Sequence, residues 1–599
     1  MKIENSIKNN FFRVLLSYLT SSDSIQIENI PGYPEYLEWR YASLLGISNE
    51  FISNQRLLES TFIKKINRTF RTKRFNQLLK KWIAEYLILL FDRLYEFCYS
   101  DKINNKKLLL EDNPINRFGV EKFNMKFKIQ ANIQWVPGLS LMRRILSMPI
   151  LMLYVFSRSI GSGIKLSSRK KKFKVMREAI WGLNGLGYFF HDDFLVDGKI
   201  IKKDELLLFS RCTISESIGR KRAYQDAQNS EYTNYYLPSL KIGAKELLFR
   251  VFPKYIFQGS LSLLAEINSA NFSLYENIFH YFNQHALPYE RVFSNFSFIA
   301  ELGHSYFSSS HIAEAIICQN YGAKYYLMHW SDISVVADDY LFSSLGCDYF
   351  LLWGRAHITG VEGDYTTLHS TGYVFKNFIN QVKLNRRKVL KDMGINERGK
   401  IITFFDEPFG RGFKMTADHY VSFWNTALRL AQEETQHTVV IKPKDAGGHC
   451  CAALSPEQKN YFLQIKDALG KLDNVYIIDA EKWSFIEAIG ISDIVITEAM
   501  SSPSTIAIIC GIEGLYLDEA AHSHPFVKNF KDKIVFDDPQ KLLDTAKKII
   551  RDNDSALQRI PQSMLREYDE YPDDRGIEIF RNMLSGRLDY NNNFAGGNR

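Results

Sequence analysis

The run from Asp493 to Asp518, DIVITEAMSSPSTIAIICGIEGLYLD, holds the residues best suited to chemistry. It reads as an apolar strand through Ile494 to Ile496, a turn carrying Ser501, Ser502, Ser504 and Thr505, a helix through Ile508, and a strand at Leu515 to Leu517. A helix begins with unpaired backbone N–H groups at the positive end of its dipole. Hydroxyls gathered there make a seat for a phosphate. Pro503 suits a first turn, where a missing N–H costs nothing. The plain alternative is a capped helix without a ligand.

A second segment, TVVIKPKD at 438 to 445, is a β-branched strand that ends in Lys442, Pro443, Lys444 and Asp445. In open α/β sheets ligands sit beyond the carboxyl ends of the strands. Two lysines at such an end offer point charges to a phosphate. Glu498, just before the serine turn, is placed to hold a ribose or sugar hydroxyl, or is a solvated loop carboxylate. The loop FFDEPFGRG adds Asp406, Glu407 and Arg411 at another strand end. Upstream, ELGHSYFSSSH places Glu301, His304 and His311 around a strand-to-helix turn, and MHWSDIS places His329 and Asp332 after the next strand. A His or carboxylate there can act as general base or as nucleophile; a structural role is the alternative for each.

These motifs need elements to position them. Residues 1–175 are expected to form a mostly helical extension. From 176 to 385 strands alternate with helices, including ELLLFSR, SNFSFIAELG, KYYLMHW and DYFLLWG. The polar, basic stretch 376–400 reads as a linker helix. A second series over 386–560 supplies six short strands, and 561–599 a closing helix and tail. Strand–helix repeats of this spacing give parallel sheets covered on both faces. The fold class is therefore α/β, with two Rossmann-like domains facing a cleft, the GT-B arrangement.

The pair Lys442-Pro443-Lys444 and Ser501-Ser502 resembles the C-terminal domain of GT-B glycosyltransferases that build bacterial capsule and lipopolysaccharide. The likeness is to the branch that uses CMP-activated sugars, where a Lys-Pro-His-Pro-like motif and a Ser-Ser turn contact the nucleotide and its phosphate. The histidine and second proline of that motif are absent here. His329-Trp330, Trp353-Gly354 and Gly372-Tyr373 follow the order of motifs in related polysaccharide enzymes, with Trp330 replacing a glycine. The resemblance implies a nucleotide-sugar donor, with a CMP-ulosonic acid (Kdo-like or sialic-like) favoured, held by Asp406, Glu407, Arg411, Lys442, Lys444, Glu498, Ser501, Ser502, Ser504 and Thr505. It implies a glycan or lipid-linked glycan acceptor, with catalysis by Glu301, His304, His329 or Asp332. Glycerophosphotransferases of teichoic acid synthesis share the layout and remain an alternative, as does a non-catalytic polysaccharide-assembly scaffold. No cofactor and no metal are expected, since Asp192-Asp193 and Asp338-Asp339 are only weak candidates for a DxD-type motif.

Composition narrows the classes further. The 599 residues are 46% hydrophobic and 24% charged, ordinary for a globular protein of several domains. A net charge of +8 favours anionic partners, yet no nucleic-acid signature is present. Seven scattered cysteines argue against a disulfide framework and for a reducing cytoplasm. Arg143, Arg144, the apolar run Leu146 to Phe156, and the basic residues from Arg158 to Lys174 suggest peripheral attachment to the inner membrane surface. A buried helix followed by a solvated basic loop is the alternative.

Overall fold

The computed structural model describes residues 33–99, 108–128, 133–137, 141–160, 163–165, 170–178, 195–210, 233–236, 239–303, 308–329, 345–358, 366–409, 415–444, 454–480, 482–522, 525–552, 555–571 and 575–587. Most of the helical extension comes first: α1 (Tyr33–Asn54), α2 (Thr61–Thr69), α3 (Phe75–Tyr99), α4 (Pro114–Phe127) and α5 (Leu141–Ile160). Tyr36 and Arg40 of α1 both donate to Asp92 of α3, at 2.5 and 2.6 Å, in a fully buried contact that fixes the pairing of these helices.

The front lobe is one seven-stranded sheet. Its strands are β1 (Val175–Glu178), β2 (Leu206–Ser210), β3 (Thr233–Tyr236), β4 (Ala300–Gly303), β5 (Lys324–Met328), β6 (Tyr349–Leu352) and β7 (Thr367–Ser370). They pair in parallel in the order β7-β6-β5-β4-β1-β2-β3. Successive side chains point to opposite faces, and the two faces enter different cores. Leu206, Leu208, Tyr326, Met328 and Leu351 pack with the rear lobe's core. Leu207, Phe209, Tyr325, Leu327, Phe350 and Leu352 pack with the helical extension, α6 (Phe272–Asn295) and α7 (Ser310–Asn320). The extension therefore covers one face of this sheet.

The linker is two helices, α8 (Lys376–Leu384) and α9 (Arg386–Met393), broken at Asn385 and ended by Gly394 in the left-handed region. It is docked rather than solvated: Arg386 holds both carboxylate oxygens of Asp493, at 2.9 and 2.7 Å.

The rear lobe matches the expected six strands: β8 (Ile401–Phe405), β9 (Thr438–Lys442), β10 (Val475–Ile477), β11 (Ile494–Glu498), β12 (Glu513–Leu517) and β13 (Val535–Phe536). All pair in parallel in the order β10-β9-β8-β11-β12-β13. Every residue of β8, β9 and β11 is buried, as strands covered on both faces require. The strand order reverses between β8 and β11, which makes their carboxyl ends the topological switch point. The chain is α/β with two doubly wound lobes and a helical extension, the expected fold class.

A strap closes the molecule. Helix α10 (Gln562–Tyr568) leaves the rear lobe, where Tyr568 stacks on Phe526 at 4.7 Å. It then crosses the carboxyl ends of β6 and β7: Glu570 N–H donates to Trp353 O at 3.1 Å, and Asp569 accepts from Tyr373 N–H and from Lys376 Nζ, both at 3.0 Å. Helix α11 (Arg575–Leu584) packs on the front sheet, with Tyr326 OH donating to Met583 O at 3.1 Å. Gly354 lies so close to the strap that a Cβ would stand 2.3 Å from Glu567 O. Gly372, at φ +71°, abuts Asp569. In the Trp353-Gly354 and Gly372-Tyr373 pairs, Gly354 is thus demanded by backbone approach and Gly372 by its left-handed φ.

Candidate functional site

At the switch point the strand tips are tied to one another. Phe405 pairs with both Lys442 and Thr497, and Glu498 pairs with Leu517, so β9, β8, β11 and β12 end on one line. Past that line, Lys444 N–H donates to Asp406 Oδ1 at 2.6 Å and Glu407 N–H donates to Glu498 Oε2 at 3.0 Å. Lys444 Nζ pairs with the Glu407 carboxylate. Ala499 N–H donates to Leu517 O at 2.7 Å, which seats the serine turn beside Asp518. The lysine-tipped and serine-tipped strands therefore converge through the Asp406–Glu407 loop.

Burial sets the charges here. Lys442 is buried, with Nζ donating to Pro443 O at 3.0 Å. Burial holds its ammonium down to about 8, against the attraction of Asp406, Glu487 and Asp479. Asp406 accepts from Tyr420 OH at 3.1 Å and Trp424 Nε1 at 3.3 Å besides Lys444. Burial still pushes its carboxyl up to about 6. Burial likewise drives Glu498 well above the carboxylate range, opposed by the Glu407 N–H and reinforced by the charges of Asp406, Glu407 and Glu519. Neutral Glu498 has an O–H to donate.

Two oxygens in this cluster lack partners. Glu498 Oε1 and Ser501 Oγ are buried, the residues being only 2% and 1% exposed, and among the described residues neither oxygen makes a hydrogen bond. Ser501 occupies the N-cap of α12 (Ser502–Ile509), where a serine ordinarily bonds the first turn, yet its side chain makes no capping bond. Between the two oxygens Ala499 takes φ +53°, strained for a residue with a Cβ. Buried polar atoms are rarely left unpaired without a reason.

The structure separates the other expected residues. Ser502 is half-buried at the first position of α12. Ser504 and Thr505 do not line the seat: Ser504 Oγ donates to Leu515 O at 2.7 Å, and Thr505 Oγ1 meets Tyr516 OH at 2.9 Å, both inside the core. Glu301 faces the helical side of the front sheet, bonded by Tyr289 OH and by Cys318 Sγ at 3.0 Å, so it holds α6 and α7 on β4 and not a strand tip. His311 is buried, with Nδ1 2.6 Å from Ser308 O. His329 does lie at the carboxyl tip of β5, its ring edge-on to Trp353 at 5.3 Å and Phe350 at 6.2 Å, with its carbonyl accepting from Trp353 Nε1 at 2.6 Å. His304, Asp332 and Arg411 lie outside the described residues, as do Asp192-Asp193 and Asp338-Asp339.

One pair escaped the sequence reading. Asp518, the first residue after β12, accepts His522 N–H at 2.8 Å through Oδ2, and its Oδ1 lies 2.5 Å from His522 Nδ1. Both side chains are buried, and His522 Nε2 has no hydrogen-bond partner among the described residues. Ala521, just before, takes φ +51°. The D-x-x-x-H spacing in LDEAAH was the available signal. Among the described residues no group of three His, Cys, Asp or Glu side chains is placed to hold a metal ion. Among the described residues, Cys98, Cys318, Cys347 and Cys510 form no disulfide.

No protein-family profile matches the chain, and no curated protein matches it in sequence. Solved structures do resemble it at low similarity. The wall teichoic acid polymerase TagF is 9% identical, with 75% of this chain and 97% of that one covered, at a TM-score of 0.42. Anabaena HepE in complex with UDP and glucose is 9% identical over 69% of this chain and 99% of that one, at 0.34. An α,α-trehalose-phosphate synthase (UDP-forming) from Burkholderia vietnamiensis is 9% identical over 69% and 100%, at 0.39. At these scores the likenesses carry no weight for the site, and the two-lobed fold stands on the strand order of its own sheets.

Proposed function

We propose that the chain is a glycosyltransferase that moves a sugar from a nucleotide-activated donor to a bacterial surface-polysaccharide acceptor. The observation that carries this reading is the convergence of four strand tips on one buried polar cluster at a switch point, with Ser501 Oγ and Glu498 Oε1 left without partners. A donor phosphate supplies what the cluster lacks. Ser501 Oγ and the N–H groups opening α12 donate to it, Lys442 supplies charge, and neutral Glu498 bonds a sugar or ribose hydroxyl.

In transfer, an acceptor hydroxyl attacks the anomeric carbon and the bond from that carbon to the phosphate oxygen breaks. The electron pair leaves on the phosphate, where positioned cations and donors stabilise it. The acceptor's proton passes to a base. His329 is the candidate on the front lobe, since its place at a strand tip survives while Glu301 is occupied elsewhere. Lysines and hydroxyls take the role a metal ion would have, and a cytoplasmic location accords with such a donor. A CMP-ulosonic acid is the favoured donor.

Thermal unfolding with CMP, CDP, UDP and GDP tests the reading. A nucleotide bound near saturation is expected to raise Tm by roughly 3 °C or more. A rise with CMP alone supports the ulosonic donor. A rise with CDP, increased by CDP-glycerol, favours glycerophosphate transfer. No response to any of the four contradicts a transferase and leaves a scaffold.

A further inference from the structure

Two neighbouring helices on the front lobe present apolar side chains to water, and neither fact follows from the transferase reading. The first is α5. Met148, Leu151 and Val155 enter the core, while Ile150, Leu153 and Phe156 point outward, with Leu153 67% exposed. The second is a π-helix, Leu247–Gln258, continued by a helix over Gly259–Leu264. Leu247, Val251, Tyr255 and Ile256 are buried, yet Leu248, Phe249, Phe252 and Phe257 are exposed, Phe249 by 73%. The two helices lie side by side over α6. A helix that is apolar on every side belongs in a core or in lipid. Soluble proteins rarely expose contiguous apolar patches of this kind without a partner.

Charge identifies the partner. From Leu141 to Lys174 there are nine lysines and arginines and no acidic residue. From Leu247 to Leu264 there are Arg250 and Lys254 and again no acid. Glu246, just before, is buried and paired with Lys170 at 3.1 Å. Arg158, Lys171, Lys172, Lys241 and Lys245 are exposed around these elements. An apolar face rimmed by cations suits a bilayer interface with anionic headgroups. A second copy of the chain would bring two cationic rims together and is disfavoured. No helix among the described residues is long and apolar enough to cross a membrane, which leaves docking in the plane of the interface.

We infer that the outer faces of α5 and the 247–264 helices form one surface that docks on an anionic lipid bilayer, with Leu153, Phe156, Leu248, Phe249, Phe252 and Phe257 entering the acyl boundary. The inference stands on exposure and charge, apart from the transferase reading. Vesicle co-sedimentation tests it, with phosphatidylglycerol–phosphatidylcholine vesicles against phosphatidylcholine alone. The protein is expected to partition at least about tenfold better into the anionic vesicles, with the difference shrinking at high salt. Phe249→Gln with Phe252→Gln is expected to reduce that partitioning by about tenfold or more with Tm unchanged, since both rings are more than half exposed. Leu153→Gln tests the other helix in the same way. Failure of the unaltered protein to sediment with either vesicle, or equal sedimentation of the variants, overturns the inference. So does self-association that the same substitutions abolish in the absence of vesicle binding, which gives the surface to a second copy.

Discussion

Lys442→Met is expected to lower transfer by about 10²–10³-fold at pH 7 while leaving Tm unchanged or higher. The two effects come from one cause. Burial holds the Lys442 ammonium down to about 8, so the fold gains nothing from this charge. Methionine keeps much of the side-chain volume and removes the desolvation cost. The charge matters only once a phosphate is present. A depressed lysine also fixes the sign of the pH dependence. Between about 8 and 10.5 the unfolded chain holds the proton and the folded chain does not, so this residue's contribution to stability grows as pH rises through that window. Nucleotide affinity runs the other way and falls as pH rises past about 8, because the neutral amine no longer attracts phosphate. Titration calorimetry of the nucleotide at pH 7 and pH 9.5 reads the affinity term, and the variant is expected to lose the pH dependence. A variant that transfers at the normal rate would remove Lys442 from the leaving-group site.

The second large effect lies in the strap. Gly576→Ala would set a Cβ 1.7 Å from the carbonyl oxygen of Thr371 and 2.8 Å from its carbon. Both are backbone atoms at the end of β7, and neither can yield as a side chain does. The substitution is expected to cost at least about 3 kcal/mol and to lift α11 from the front sheet. Urea unfolding reads the loss, and limited proteolysis is expected to release the C-terminal segment. Gly470→Ala is the control, since nothing lies within 4 Å of its Cβ position. Equal stability of the two variants would contradict the packing of α11 on Thr371.

These two residues also mark where the sequence was readable. Lys442 lies at the end of a five-residue β-branched strand, and all six rear-lobe strands could be placed from such runs because each is apolar and bounded by turns. Gly576 had no local signature, since Thr371 lies some two hundred positions away. The same distance hides why Gly354 and Gly372 are glycines. The serine turn was legible as a turn, but its hydroxyls were not equivalent. Ser504 and Ile508 are four apart on one helix face, and both meet Gly514 of β12, which is enough to turn Ser504 inward. Ser501, before that helix, escapes the inward face. Glu301 is flanked by Ala300 and Leu302, which enter the opposite core; its partners Tyr289 and Cys318 come from two different helices. The Asp518–His522 pair was not legible because it depends on the turn after β12, where Ala521 takes φ +51° and brings His522 back onto Asp518. Exposure of Phe249, Phe252 and Phe257 has no local signature, because the same residue type is buried at Phe272, Phe279 and Phe282 of α6.

The most direct measurement is a crystal structure of the chain with CMP. The phosphate is expected within about 3 Å of Ser501 Oγ, at the N-terminus of α12 and beside Lys442, with Glu498 bonded to a hydroxyl of the ligand. A nucleotide bound elsewhere, with Ser501 Oγ and Glu498 Oε1 still unpartnered, would contradict the assignment of the switch-point cluster as the donor site.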